Sequence, residues 1–289
     1  MPVTLYNFTL YDPTLTVSLS LGMDNFIYEQ LQGIELPPIE RYIESSPLQH
    51  GASDYGFRLS SRSLSFQLHL RANSPLSFYT LRSELIHILR PYYTLAPSIL
   101  ETKLPDESIW RMQVFCTSLN FTPYANVRGK GGTTSPYVQT ASFTLSAPNP
   151  VWYQHTGATT TYFYQADIPS TKNITYTGSW LCHPYPFSVR GPIAHPILTN
   201  LSADTKLDLD YIIPNNQTVL IDLRPGYKTI LLGSTSLLPY LSADSDLDTF
   251  YFLPTPEAMD GLNSIKVEGT SLGANTRVAI AFTPTRLAI

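Results

Sequence analysis

The chain has 289 residues, of which 43% are hydrophobic, and a formal net charge of −4. Charged residues make up 14%, against about 25% in an average globular domain, whereas aromatic residues reach 12%. Disordered chains combine weak hydrophobicity with high net charge, so the composition excludes disorder and predicts about two packed domains.

The charge also limits the partners. Up to residue 150 there are 10 basic and 11 acidic residues, and beyond it 8 basic and 11 acidic. Neither half has the basic field that attracts phosphate backbones, so no nucleic acid is expected to bind. A surface poor in charge and rich in tyrosine is typical of permanent interfaces, although a neutral soluble monomer has the same composition.

The sequence shows no targeting signal. Its N-terminus lacks a basic region followed by an apolar run, and no apolar stretch approaches the roughly 18 to 20 residues that span a bilayer. Cys116 and Cys182 allow at most one disulfide bond. We therefore expect a protein made in a cytoplasm, without membrane insertion.

The first half is predicted to consist mainly of strands. In residues 63–70, Leu64, Phe66, Leu68 and Leu70 alternate with polar residues, which indicates a strand with one face buried. Similar patterns predict the other strands of this half, at residues 3–10, 14–21, 56–59, 110–119 and 137–145.

One helix is predicted, over residues 75–90. Ser74 is a suitable N-cap, Pro75 fits the first helical position, and Arg90-Pro91 ends the pattern. The apolar stripe indicates packing against a sheet or a neighbouring subunit. It consists of Phe78, Leu81, Leu85, Ile88 and Leu89.

Residues 128–135 read R-G-K-G-G-T-T-S and resemble a phosphate-binding loop only superficially. The closing Gly-Lys-Ser/Thr order is missing and no apolar helical run follows, so no nucleotide site is predicted. We expect a mobile hairpin tip or a contact with a neighbouring subunit.

Residues 147–153, A-P-N-P-V-W-Y, predict a domain boundary, because two prolines prevent continuation of a strand ladder. The predicted domains are residues 1–150 and 151–289. Many short strands and no convincing helix in the second half indicate a β-sandwich, with a type II turn at residues 224–227, R-P-G-Y. The strands are predicted at residues 187–190, 197–201, 207–213, 219–223, 250–253, 264–267 and 277–282.

Candidate chemistry is sparse. Asp244, Asp246 and Asp248 have metal-like spacing, but an EF-hand loop would need glycine and glutamate where Thr249 and Thr255 stand. No paired C-x-x-C spacing supports a zinc site, and no nucleophile lies in a recognised catalytic pattern. We therefore predict no enzyme, assign no catalytic, cofactor or metal residue, and leave the ligand-binding residues unknown. The zinc candidates considered were Cys182, His183 and His195.

Several segments together resemble the phage distal tail (Dit) family. Residues 189–200, V-R-G-P-I-A-H-P-I-L-T-N, resemble the family's G-P…N-P-x-I-x-N segment, with His195 where Asn is usual and Leu198 where Ile is usual. Residues 221–229, I-D-L-R-P-G-Y-K-T, resemble its I-D-x-x-x-G-x-K-T strand and turn. The further matching segments are residues 148–153, 241–247 and 261–267.

The resemblance covers nearly the whole chain and implies a fold and a role. The implied fold is mainly β, with an N-terminal ring-forming β domain that carries one helix and a C-terminal galectin-like β-sandwich. The implied role is that of a structural virion protein at the distal end of a phage tail. There a homo-hexameric ring would join the major tail tube protein to the baseplate hub, or tail-associated protein.

Two alternatives remain open. The C-terminal sandwich could be a glycan-binding adsorption module for host cell-wall polysaccharide, or contact a receptor-binding protein. Because fold alone does not imply sugar binding and the galectin His-x-Asn-Pro-Arg and Trp-Gly-x-Glu strands are missing, no sugar-contacting residue is predicted. A glycan-processing enzyme of the jelly-roll type is the third hypothesis.

Overall fold

The computed structural model describes residues 7–22, 25–45, 50–91, 96–122 and 137–289. Backbone contacts divide the chain into two units. The first contains Met1–Tyr153 together with Leu287–Ile289, and the second contains Gln154–Arg286. The division falls three residues beyond the predicted boundary at residue 150, and residues 287–289 return to the first unit.

The first unit is built on a sheet whose strands run in the order β2-β1-β7-β8-β9-β6-β3, while β4 and β5 form a separate two-stranded sheet. Among the described residues it has one α-helix. Its elements are β1 (Asn7–Tyr11), β2 (Ser18–Leu21), β3 (Phe26–Gln32), β4 (Ile39–Glu44), β5 (Ser53–Leu59), β6 (Arg62–Ala72), α1 (Pro75–Leu89), β7 (Ser98–Lys103), β8 (Ile109–Phe121) and β9 (Tyr137–Ala147); β10 (Trp152–Gln154) follows where the units join.

Strand β6 confirms the prediction from its alternation. Leu64, Phe66, Leu68 and Leu70 are all buried, and β6 pairs in antiparallel register with β9 along its full length. Phe66 stacks on its cross-strand partner Phe143, with ring centroids 4.9 Å apart. Such aromatic pairs stabilise a sheet beyond the area they bury.

The predicted helix is also confirmed. The Ser74 hydroxyl accepts a hydrogen bond from the Ser77 amide at 3.2 Å, and Pro75 begins the helix. Phe78, Leu85 and Ile88 are buried against the sheet of the same unit, where the helix contacts β2, β6 and β8. Of the two predicted partners for the apolar stripe, it is therefore the sheet that covers it.

The second unit consists of two sheets. One has the order β11-β21-β13-β17-β18-β19, and the other has the order β12-β20-β14-β15, with β16 added to β14. No α-helix occurs within residues 154–286, all of which are described. The strands are β11 (Thr159–Tyr164), β12 (Ser170–Thr175), β13 (Phe187–Arg190), β14 (Ile193–Asn200), β15 (Thr205–Asp208), β16 (Ile212–Ile213), β17 (Thr218–Asp222), β18 (Thr229–Leu232), β19 (Thr235–Ser236), β20 (Leu262–Thr270), β21 (Arg277–Phe282) and β22 (Thr285–Arg286).

Both sheets contribute their apolar faces to one core. Val189 and Ile280 come from the six-stranded sheet, and Leu198 and Val267 come from the other. Two sheets that share one core form a β-sandwich, as predicted, and the chain as a whole is mainly β. That this sandwich is galectin-like stays a prediction.

The strand predicted at residues 250–253 is wrong. Phe250 and Phe252 are buried, which explains the alternation, but only Phe252 forms an isolated bridge, to Cys182. Amide side chains replace the ladder here: Asn200 donates to the Tyr251 carbonyl at 2.8 Å. Asn263 bonds both the amide and the carbonyl of Leu253.

Two other predictions concern local backbone. The strand predicted at residues 207–213 is interrupted between β15 and β16, where the Tyr211 amide donates to the Leu209 carbonyl. The type II turn is confirmed, because Gly226 has a φ of +83° and the Tyr227 amide donates to the Arg224 carbonyl at 3.1 Å. The loop predicted at residues 128–135 lies outside the described residues.

Candidate functional site

The hairpin formed by β4 and β5 is highly exposed. All six residues of β4 are exposed, including Ile43 at 61%, and Tyr55 of β5 is exposed at 69%. Among the described strands, β4 and β5 pair only with each other. An isolated two-stranded hairpin is marginally stable in water, so a hairpin with apolar residues on open surface is a candidate interaction surface.

Cross-strand ion pairs hold the hairpin together. Arg58 Nη2 lies 2.6 Å from Glu40 Oε2, and Arg41 pairs with Asp54. The guanidinium of Arg41 also lies over the Phe57 ring, 5.9 Å from its centroid. These pairs fix the strand register without burying the apolar side chains, which stay available to a partner.

Within this hairpin, the sequence pattern predicts only residues 56–59 as a strand. Its strands lack the alternation of a half-buried strand, because neither face packs on the core. The charges of the two segments do contain a usable signal. Glu40 is complementary to Arg58, and Arg41 is complementary to Asp54.

The outer face of α1 is a second exposed surface. Leu76 and Tyr79 are exposed at 79% and 66%, and Ile86 is also exposed. The predicted stripe lies on the other side of the helix, where Phe78 and Leu85 pack inside the unit. Only the opposite face of the helix is open to a partner.

The acidic residues with metal-like spacing are engaged with lysines. Asp244 binds Lys206 and accepts from the Ser242 hydroxyl at 2.6 Å, and these hydrogen bonds lower the pKa of its carboxyl to about 2. Asp246 accepts from the Lys206 amide, and Asp248 pairs with Lys228 at 3.3 Å. Within the described ranges, no three His, Cys, Asp or Glu side chains could together hold a metal ion.

The zinc candidates lie in different environments. Cys182 is buried and its Sγ–H donates to the Thr283 carbonyl, and burial raises the pKa of the thiol to about 12. His183 stands edge-on to the Tyr251 ring, whereas His195 is exposed and pairs with Asp210. The structure does not bring these three residues together as a ligand set.

His183 makes the fold sensitive to pH. Burial first, and then the charge of Lys228, lower the pKa of its imidazole to about 4. An unfolded histidine has a pKa of about 6.5, so below that pH the unfolded chain binds a proton that the folded one does not. Stability is therefore fully present above pH 6.5 and falls as the pH drops towards 4.

We expect the second unit to lose about 2 kcal/mol of stability between pH 7 and pH 5 through His183. His183→Phe keeps a ring beside Tyr251 and cannot be protonated, so it should remove this loss. Urea unfolding at each pH, monitored by hydrogen exchange of the second unit's amides, measures this loss of stability. His155→Phe, at an exposed position, is the control. An unchanged pH slope in His183→Phe would contradict the assignment.

The family-like motifs have structural roles. Asn200 closes residues 189–200 and is fully buried, where it bonds the Tyr251 carbonyl. In residues 221–229, Asp222 pairs with Arg224 at 2.7 Å and Lys228 donates to the Leu247 carbonyl at 2.8 Å. These contacts fix turns and irregular segments of the second unit.

Among the described residues, no helix has the length and apolar character needed to cross a bilayer. Comparison with known proteins found no matching family model and no matching curated protein. Solved structures do match over nearly the full chain.

The chain has the fold of a phage distal tail, or Dit, protein. The chain matches the crystal structure of SPP1 Dit (gp 19.1), which is described as a paradigm of the hub adsorption apparatus in phages that infect Gram-positive bacteria. Its TM-score is 0.65 at 15% identity, over 96% of this chain and 98% of that one. Chains of the phage P2 baseplate in its activated conformation match with TM-scores of 0.47 and 0.48 at 10% and 11% identity, covering 96% and 97% of this chain and 98% of theirs.

Proposed function

We propose that the protein is a structural component of a phage tail, in which six copies form a ring between the tail tube and the tail-tip hub. The observation that carries the proposal is the Dit fold over 96% of the chain. The sparse charge of the sequence and the structural roles of its acidic and histidine residues support a structural rather than a catalytic role.

The hairpin of β4 and β5 supplies the contact between copies. Ile43, Tyr55 and Phe57 are exposed and present apolar area at the surface of the single chain. Cyclic symmetry covers the same patch on every copy, and permanent interfaces of this kind typically bury more than about 2,000 Å². The hairpin of each copy would therefore lie on the next copy around the ring.

Native mass spectrometry of the full chain tests the ring. The expected species has six times the chain mass of 32.3 kDa. A monomer at every concentration, or a closed assembly with another number of copies, would reject self-driven formation of a hexamer.

The double substitution Ile43→Asp and Phe57→Asp should convert the ring to monomers. Both side chains are exposed in the single chain, so folding should be preserved while carboxylates oppose burial at the interface. Circular dichroism checks the fold and light scattering gives the mass. Met259→Asp changes a residue exposed at 79% in the second unit and serves as the control. A double variant that still forms the wild-type assembly would exclude the hairpin as the contact.

A further inference from the structure

Two arginines lie side by side at one end of the six-stranded sheet. Arg190 of β13 and Arg277 of β21 are direct cross-strand partners, and Tyr164 of β11 is the next residue in the same row. Their neighbours Val189 and Val278 point into the core, so both arginines point outward. Cross-strand partners have Cβ atoms about 4.5–5.5 Å apart, so the two charged side chains share one small area.

Neither arginine forms an ion pair with a described acidic residue. Arg190 donates to Asn216 Oδ1 at 3.1 Å, while its Nε is buried without a hydrogen-bond partner in the described part of the chain. The Arg277 guanidinium lies over the Tyr162 ring, 5.3 Å from the centroid. Like charges directly opposite each other destabilise a sheet, so the pair has an electrostatic cost that no acidic side chain among the described residues offsets.

Arg224 in the same unit shows the contrast. It binds Asp222 through two guanidinium nitrogens, at 3.0 and 2.7 Å, and stands over the rings of Tyr185 and Tyr227. The charge of Arg224 is thus compensated within the chain. Within the described ranges, no carboxylate compensates the charges of Arg190 and Arg277 in the same way.

The adjacent row of the sheet carries no charged side chain. Tyr162, Ala279, Ser188 and Leu220 follow one another across four strands, and Leu220 is exposed at 55%. The Tyr162 and Tyr164 rings stack with centroids 6.0 Å apart. Tyrosine and arginine with few acidic or lysine side chains is the composition of a protein interface core.

We propose that this face, which we name the arginine face and define by Tyr162, Tyr164, Arg190, Leu220 and Arg277, binds an acidic segment of a partner protein. Carboxylates of the segment pair with the two guanidinium groups, which are already held by Asn216 and Tyr162, and apolar side chains of the segment cover the adjacent row. The charge complementarity selects the partner. This face does not depend on ring formation.

Fluorescence anisotropy of the full chain with a labelled ten-residue peptide of alternating glutamate and leucine tests the proposal. We expect saturable binding that weakens at high salt and becomes at least about tenfold weaker in the double variant Arg190→Gln and Arg277→Gln. Arg224→Gln removes the same charge from a compensated arginine and should leave the affinity within about twofold.

Absence of peptide binding, or equal affinity in the double variant, would overturn the proposal. Arg277→Gln alone changes an exposed residue, so it separates loss of binding from loss of folding. Polygalacturonate is the second probe: if it binds through the two arginines and the peptide does not, the occupant is an anionic polysaccharide and the protein partner is rejected. Native mass spectrometry on the same samples reports the ring independently.

Discussion

Arg62→Ala should destabilise the first unit by about 4 kcal/mol. The Arg62 side chain is buried, and its guanidinium donates to the carbonyls of Ile34, at 3.0 Å, and Leu287. Burial lowers the pKa of Arg62 to about 10, so the group is still charged at neutral pH. Truncation leaves a large cavity and removes a charged hydrogen-bond donor from these carbonyls, and both effects destabilise the folded state.

Urea unfolding monitored by hydrogen exchange of the first unit measures the loss. Arg62→Met separates the two effects, because methionine fills most of the space but donates no hydrogen bond. About half of the loss in unfolding free energy should remain in this variant. Arg71→Ala lies on the same strand at an exposed position and should change stability by no more than about 0.5 kcal/mol. If Arg62→Ala were as mild as Arg71→Ala, the anchoring role of Arg62 would be refuted.

Asn263→Ala should destabilise the second unit by about 3 kcal/mol. The Asn263 side chain is fully buried, and its Oδ1 accepts a hydrogen bond from the backbone N–H of Leu253 at 2.8 Å. Its Nδ2 donates to the backbone carbonyls of Leu253, at 2.9 Å, and Gly261, at 3.0 Å. Without it, the segment that replaces the predicted strand at residues 250–253 has buried backbone groups with no partner, and each costs about 1–3 kcal/mol.

The matched control is Asn173→Ala. Asn173 lies on the neighbouring strand β12 at an exposed position, where it accepts from the Ser264 hydroxyl. Its loss should cost no more than about 0.5 kcal/mol. Thermal unfolding measures the stability of the two variants, and hydrogen exchange of the amides of residues 250–261 is the local probe. Rapid exchange of these amides is expected in Asn263→Ala and not in Asn173→Ala. Unchanged protection in Asn263→Ala would show that Asn263 does not hold the segment.

The spacing of apolar residues in the sequence correctly predicts the strands and the helix that bury only one face. Strand β6 alternates because one face meets the core, and α1 follows from Ser74, Pro75 and its apolar spacing. The same rule failed at Phe250 and Phe252, where burial alternates but distant amide side chains replace the ladder. The alternation of a sequence reports burial, whereas a strand also needs a neighbouring backbone.

The candidate surfaces depend on pairing between distant residues. Arg190 and Arg277 are 87 positions apart in the sequence, and only the register of β13 with β21 makes them neighbours. The hairpin is exposed on both sides, so no burial signal marks Ile43 or Tyr55. Both proposed surfaces face away from the core, so burial within this chain imposes little sequence pattern on them.

The return of residues 287–289 to the first unit has a consequence for biosynthesis. Leu287 is translated only after the whole of Gln154–Arg286. Arg62 therefore lacks its Leu287 hydrogen-bond acceptor while the second unit is being translated. Domains generally fold as units during synthesis, but here the earlier unit completes its hydrogen bonds after the later one has emerged. The full set of Arg62 hydrogen bonds therefore forms only when the sandwich has already been translated.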